Sequence, residues 1–314
     1  MKKIAIFGLG GVGAYLGARL ASFYAADSAD VQICFIARGE TLRAVEREGV
    51  ILEFKGSTIV GRPCMVSDSP AKIGLCDYVL FCAKNYALDS FLREISPCLG
   101  KDTVLIPFSN GVEAYDRLRA AFPDNFTAAG CAYIISQIVQ KGRVMCTSAN
   151  PLFLFGKPRG EDARLEELCA IFKSAGINAK CTPRILEKVW SKFAFISPLS
   201  SAMSLYGLPY GKFRQNREAD EALRALLREF CEIARFSEAG IGESLYADTL
   251  ESYDKLMPSD STTSMQRDFM AKTKSELDSL TGYVCKLGKN LGVPTPNYED
   301  FYAKLKKKEA LCGL

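Results

Sequence analysis

The sequence predicts an α/β domain with a parallel sheet, followed by an all-helical domain. Three observations carry this reading. Short apolar runs alternate with amphipathic segments over the first half, a glycine-rich turn follows the first run directly, and the spacing beyond Pro183 is helical throughout. A chain of 314 residues is long enough for two domains with separate cores, and we place them at 1–183 and 184–314.

Taken in order, the apolar run Lys3 to Phe7 reads as a strand, Gly11 to Ala25 as a helix, and Val31 to Ala37 and Asp77 to Ala83 as further strands. Leu88 to Leu99 is helical, Thr103 to Phe108 a strand, and Val112 to Phe122 helical. From Phe126 to Gly156, β-branched and aromatic segments are punctuated by Lys141-Gly142 and Asn150-Pro151, which predicts a block of strands without helices between them. A helix at Arg164 to Ala175 and a strand at Ile177 to Cys181 complete the first domain. In the second, the longest predicted helix runs from Ser264 to Leu291. Leu277, Leu280, Val284, Leu287 and Leu291 form its apolar stripe, Gly292 stops it, and Pro294 and Pro296 follow.

Composition removes several chemistries. Histidine is the usual general acid or base and the commonest metal ligand, and the chain has none. Ser-His-Asp hydrolases, Cys-His proteases and His-based dehydrogenases are excluded, no metal is expected, and proton transfer falls to Lys, Tyr, Cys, Asp or Glu. The net charge of +4 is too small to create a field for nucleic acid or a membrane surface. The basic run Lys304 to Lys308 reads as a solvated helix face. The twelve cysteines are dispersed, contain no CxxC, and often sit in apolar runs, as Cys34 and Cys82 do. They read as reduced thiols of a cytoplasmic protein. Glycines interrupt the apolar run after Met1, and no stretch approaches the roughly 18 apolar residues of a membrane span.

Gly8-Leu9-Gly10-Gly11-Val12-Gly13 satisfies GxGxxG between a predicted strand and a predicted helix, the context of a dinucleotide site. Gly8 permits the tight turn, Gly10 lets backbone approach a pyrophosphate, and Gly13 lets helix and strand pack closely. The second strand ends not in an acid for a ribose hydroxyl but in Arg38, which is either a clamp for a 2'-phosphate, favouring NADP(H), or a surface arginine in a turn. Lys84 and Asn110 close two later strands at the sheet edge where cofactor and substrate meet in such folds, although each could be an ordinary strand end.

In the segment Arg184 to Gly207, Lys192, Ile196 and Ser200 share one helical face, and Pro198 is expected to bend the helix. The lysine is either snorkelling or a proton donor in a crevice. Glu276 is either an inert boundary carboxylate or a group that meets a ligand or a lysine.

The residues from the glycine loop to the closing TPNYEDFYAKLKKKEA resemble the ketopantoate reductases (2-dehydropantoate 2-reductases). The resemblance runs through CAK, SNG, VWSK, LYGLPYGKF, TSMQRDF and KSELDSLTGYVCKLGKNLGVPTP. It implies a Rossmann-type domain joined to a helical domain of the 6-phosphogluconate dehydrogenase C-terminal kind, with the active site between them. It also implies reduction of 2-dehydropantoate to pantoate by NADPH, a step of pantothenate and coenzyme A biosynthesis, and it admits a homodimer. By position, Gly8 to Gly13, Arg38, Lys84, Asn110 and Glu276 correspond to cofactor contacts, Lys192 to the proton donor, and Asn110 and Ser264 to substrate contacts. Two family asparagines that bind substrate fall on Ile196 and Ser200. Loss of a hydrogen bond at Ile196 would cost about 1–3 kcal/mol, so a more apolar 2-keto acid is the alternative substrate, and a non-catalytic dinucleotide sensor the alternative from another class. Tyr302 to Lys306 fits YxxxK, but lies too far along the chain to be a short-chain dehydrogenase pair.

Overall fold

The computed structural model describes residues 1–311 and 313. The chain divides into two compact units, one of residues 1–109 and 114–185, the other of residues 110–113 and 186–314.

The first unit is built on a six-stranded sheet whose strands run, in spatial order, Met65–Ser67, Val31–Ile36, Lys2–Phe7, Cys76–Phe81, Leu99–Pro107 and Phe126–Thr127. Every neighbouring pair is parallel. The first strand shows why this sequence makes a doubly covered sheet: Ile4 and Ile6 enter one apolar cluster, while Ala5 and Phe7 enter another. The order of the strands reverses between Lys2–Phe7 and Cys76–Phe81, which makes the carboxyl ends of these two strands the ligand-binding edge of this architecture. The segment from 126 to 156 holds five strands with no helix between them, as its composition predicts. Its central strands, Ser136–Gln140 and Arg143–Cys146, join Val50–Phe54 and Ser57–Gly61 in a second sheet, while Ala129–Tyr133 and Leu152–Gly156 join Ala179–Cys181 in a third.

Among the described residues, all regular structure in the second unit is helical, and no helix is long and apolar enough to cross a membrane. Its central helix, Ile185–Tyr206, runs without a break through Pro198. Proline removes the hydrogen bond that the carbonyl of Ala194 would have accepted. The Tyr253 hydroxyl supplies it from another helix, donating to Ala194 O at 3.2 Å and Phe195 O at 2.9 Å. Burial pushes the Tyr253 phenol well above its usual pKa, so it stays a donor.

The predicted helix from Ser264 to Leu291 is instead two helices, Ser264–Met270 and Tyr283–Leu291, with a π turn at Asp278–Gly282 leading into the second. Lys272 takes a left-handed conformation, φ 51°, and the N–H of Thr273 reaches back to Asp268 O at 3.0 Å. This is a Schellman-type ending made without the usual glycine, so no residue in the sequence announced it.

All described cysteines are free thiols, and Cys312 lies outside the described residues. Burial raises Cys34 to about 12, which leaves it protonated and unreactive. In the second unit, Tyr253→Phe is expected to lower stability by about 1–3 kcal/mol by leaving buried carbonyls short of a donor. Chemical denaturation measures this, and an unchanged midpoint would show that the proline site does not need its tyrosine.

Candidate functional site

In the first unit the first strand ends at Phe7, and Gly8 turns the chain with φ +90°, its N–H bonded to Ile36 O at 3.1 Å. A Cβ on Gly8 would lie 2.6 Å from that of Ala83, and one on Gly13 would lie 2.0 Å from the Gly8 carbonyl oxygen. These two glycines are therefore required by packing. Gly10 differs: a Cβ there would meet nothing within 4 Å, so its missing side chain leaves open space above the loop. Leu9 is buried and Val12 packs against the core.

Helix Gly11–Phe23 begins with no side-chain cap and no acid in its first turn. Its first N–H groups have no acceptor within the helix, and the positive end of its dipole is not countered. Ser136 closes one side of the loop, since a Cβ on Gly11 would stand 2.4 Å from its carbonyl oxygen. The Ser136 hydroxyl is buried without a hydrogen-bond partner. Open space, uncommitted N–H groups and an orphaned hydroxyl fit the diphosphate of a dinucleotide. Sequence reasoning missed Ser136, because a serine opening a largely exposed strand more than a hundred residues away carries no periodic signal.

Arg38 stands just before helix Gly39–Glu48, past the end of the second strand. Its guanidinium pairs with Glu94 and lies over the Phe7 ring, 5.8 Å from the centroid. Both charged side chains remain substantially exposed, 47% and 38%. Lys84 follows the Cys76–Phe81 strand and is half-buried ahead of the short 3-10 turn Asn85–Ala87.

In the second unit, helix Ile185–Tyr206 is anchored by Trp190 and Phe193, which pack on Phe230. This fixes the turn that carries Lys192. Its ammonium donates to Asn110 Oδ1 at 3.0 Å, and Asn110 Nδ2 donates to Glu276 Oε2 at 3.3 Å. The next residue, Gly111, has φ +81°, and a Cβ there would touch the Phe193 ring at 3.5 Å and Ser279 O at 3.6 Å. The loop is thus held against both the lysine helix and the segment after Glu276. The Asn110 amide accepts from the ammonium through its oxygen and donates to the carboxylate through its nitrogen at once, so the three residues form an ordered relay. Glu276, 5% exposed, lies at the start of the π turn, where its carbonyl accepts from Ser279 and Leu280, and not within a continuous helix.

Three other predicted residues stand differently. Ile196 is half-buried and Ser200 buried on the lysine helix, while Ser264 is exposed at the start of its short helix. The hydrogen bonds that join Lys192, Asn110 and Glu276 do not extend to Ser200 or Ser264.

Family models described as ketopantoate reductase PanE/ApbA and its C-terminal part match residues 4–159 and 184–309. The chain belongs to the ketopantoate reductase family. It is therefore an oxidoreductase of a family of dinucleotide-binding reductases. It is similar to a 2-dehydropantoate 2-reductase structure from Porphyromonas gingivalis W83, with 30% identity, a TM-score of 0.83, and 97% and 99% of the two chains covered. A 2-dehydropantoate 2-reductase of Mesorhizobium japonicum is 27% identical over 97% of both chains. The uncharacterized oxidoreductase YkpB of Bacillus subtilis is 26% identical over 98% of this chain and 99% of its own. The family's Rossmann-like sheet domain and helical C-terminal domain are the architecture described above.

Proposed function

We propose that the chain reduces a 2-keto acid to the 2-hydroxy acid with NADPH, that 2-dehydropantoate is the substrate, and that Lys192 is the proton donor. The observation that carries this reading is the 3.0 Å bond from the Lys192 ammonium to Asn110, in a chain that has no histidine to do the same work. The chemistry that NADPH supplies when bound is hydride transfer to a carbonyl carbon. Negative charge then grows on the carbonyl oxygen. Lys192 Nζ stabilises that charge as an ammonium and gives the oxygen its proton, which completes the alcohol. Asn110 orients the ammonium and Glu276 orients Asn110, so the donor needs no rearrangement at the moment of transfer.

Gly8 to Gly13 would hold the diphosphate, with Arg38 on the 2'-phosphate and Lys84 beside it. The Arg38–Glu94 pair supports this use of the arginine. Ion pairs with this much exposure are worth only about 0–1 kcal/mol, whereas a phosphate can take both prongs of a guanidinium. Glu94 is thus a displaceable partner that keeps the guanidinium extended.

Substrate identity turns on Ile196 and Ser200, which by the resemblance stand where the family usually has asparagines. Ser200 keeps one hydroxyl, and Ile196 offers no hydrogen bond at all. This favours, as a second reading, a 2-keto acid with a more apolar side chain than 2-dehydropantoate. A non-catalytic sensor would not need the ordered lysine.

The test is NADPH oxidation with 2-dehydropantoate set beside smaller and more apolar 2-keto acids; oxidation with none of them would defeat the reading. Lys192→Ala should lower kcat at least about a hundredfold with NADPH binding nearly unchanged, and near wild-type turnover would remove Lys192 from the mechanism. Arg38→Ala should weaken NADPH far more than NADH, while an equal loss for both would refute the 2'-phosphate assignment.

A further inference from the structure

The closing helix of the second unit, Pro296–Leu311, reaches the short segment that carries Glu276 at two points. One is Glu309, buried at 7% exposure, whose Oε1 accepts from the Ser275 hydroxyl at 2.7 Å. The other is Asp278, whose Oδ1 accepts from the Tyr302 hydroxyl at 2.7 Å and from Lys306 at 3.4 Å. Lys306 also bonds Glu309 Oε2 at 2.9 Å, which gives the buried carboxylate a counter-charge. Tyr302 and Lys306, the pair that matches YxxxK, thus have a place in the fold as the two donors to Asp278.

The chemistry at Ser275 makes the attachment directional. A hydroxyl has one proton, and this one is committed to Glu309. The lone pairs of Oγ are left to accept, and Leu277 N–H donates to them at 3.2 Å. The bond spans Ser275 to Leu277 and places Glu276 at the apex of a serine turn. Lys272 has already ended the preceding helix, so no helical ladder holds the backbone at Glu276 from the N-terminal side. Two side-chain anchors, at 275 and 278, take its place.

We propose that Glu309 and Ser275 are positioning residues for the reaction. They fix the turn from which Glu276 reaches Asn110, and through Asn110 they set the aim of Lys192. The proposal rests on the reading of Lys192 as proton donor, and it adds that the far end of the chain controls the donor's geometry.

A double-mutant cycle on the full-length protein tests it, because a residue acting through Glu276 loses its effect once Glu276 is altered. Glu309→Ala should lower kcat about tenfold with little change in the KM for NADPH. In a Glu276→Gln background the same change should lower kcat by less than about twofold. Glu309→Gln, which keeps an acceptor for Ser275, should recover most of the loss. A merely structural role would give equal losses in both backgrounds, and that result would overturn the proposal. If Glu309→Ala does not fold, Ser275→Ala removes a single oxygen and takes its place in the cycle. Crystal structures of Glu309→Gln and Ser275→Ala provide a readout that does not depend on turnover. The Asn110–Glu276 bond should persist in the first and be lost in the second, and its persistence in both would overturn the proposal even if the wild-type protein reduced no keto acid.

Discussion

A carboxylate withdrawn from water must be met by donors, because burial without them costs several kilocalories per mole. In this protein Glu276 is that carboxylate, and Asn110 meets it with one face of an amide whose other face receives the Lys192 ammonium. The arrangement has a definite sense. Reversing the amide would set its NH2 against the ammonium and its oxygen against the carboxylate, so the two charges dictate how Asn110 lies, and the asparagine in turn dictates where the ammonium points.

The helical unit is built so that these three residues meet. Lys192 comes from the central helix, Asn110 from a loop far earlier in the chain, and Glu276 from a turn far later. Buried hydroxyls lock the first and last together: Ser197 donates to Leu280 O at 2.8 Å and contacts the Tyr298 hydroxyl at 2.8 Å, while Ser201 and Thr281 hydroxyls lie 2.8 Å apart. Satisfied buried networks of this kind hold one geometry where apolar packing would tolerate several. Pro198 fits the same logic. It frees a carbonyl in the middle of the lysine helix, and the buried Tyr253 occupies that carbonyl, so the helix gains a fixed cross-link to its neighbour.

The legible parts of the molecule are those where local pattern and tertiary environment agree. Gly8 and Gly13 could be read because each stands where a Cβ would collide with backbone or with a neighbouring strand. The alternation of Ile4, Ala5, Ile6 and Phe7 could be read because both faces of the strand are covered. Lys192 was visible as a charge on an apolar helix. What was not legible depends on distant partners. Ser57–Gly61 is mostly exposed and turns only Ile59 and Gly61 inward, too little to give a periodic apolar signal. Lys272 ends a helix in a conformation that glycine usually signals. Glu276 reads as helical because the leucines beyond it keep helical spacing across the π turn. That Glu94 sits against Arg38, or Glu309 against Ser275, follows only from the folded chain.

The claim on which the account rests is that a protonated amine at position 192 delivers the proton. Chemical rescue addresses it directly: Lys192→Ala is assayed for NADPH-dependent turnover in the presence of small primary amines of graded basicity. The account predicts that turnover rises in proportion to the concentration of the ammonium form and varies systematically with the amine's pKa. Turnover of this variant that does not respond to any added amine would contradict it.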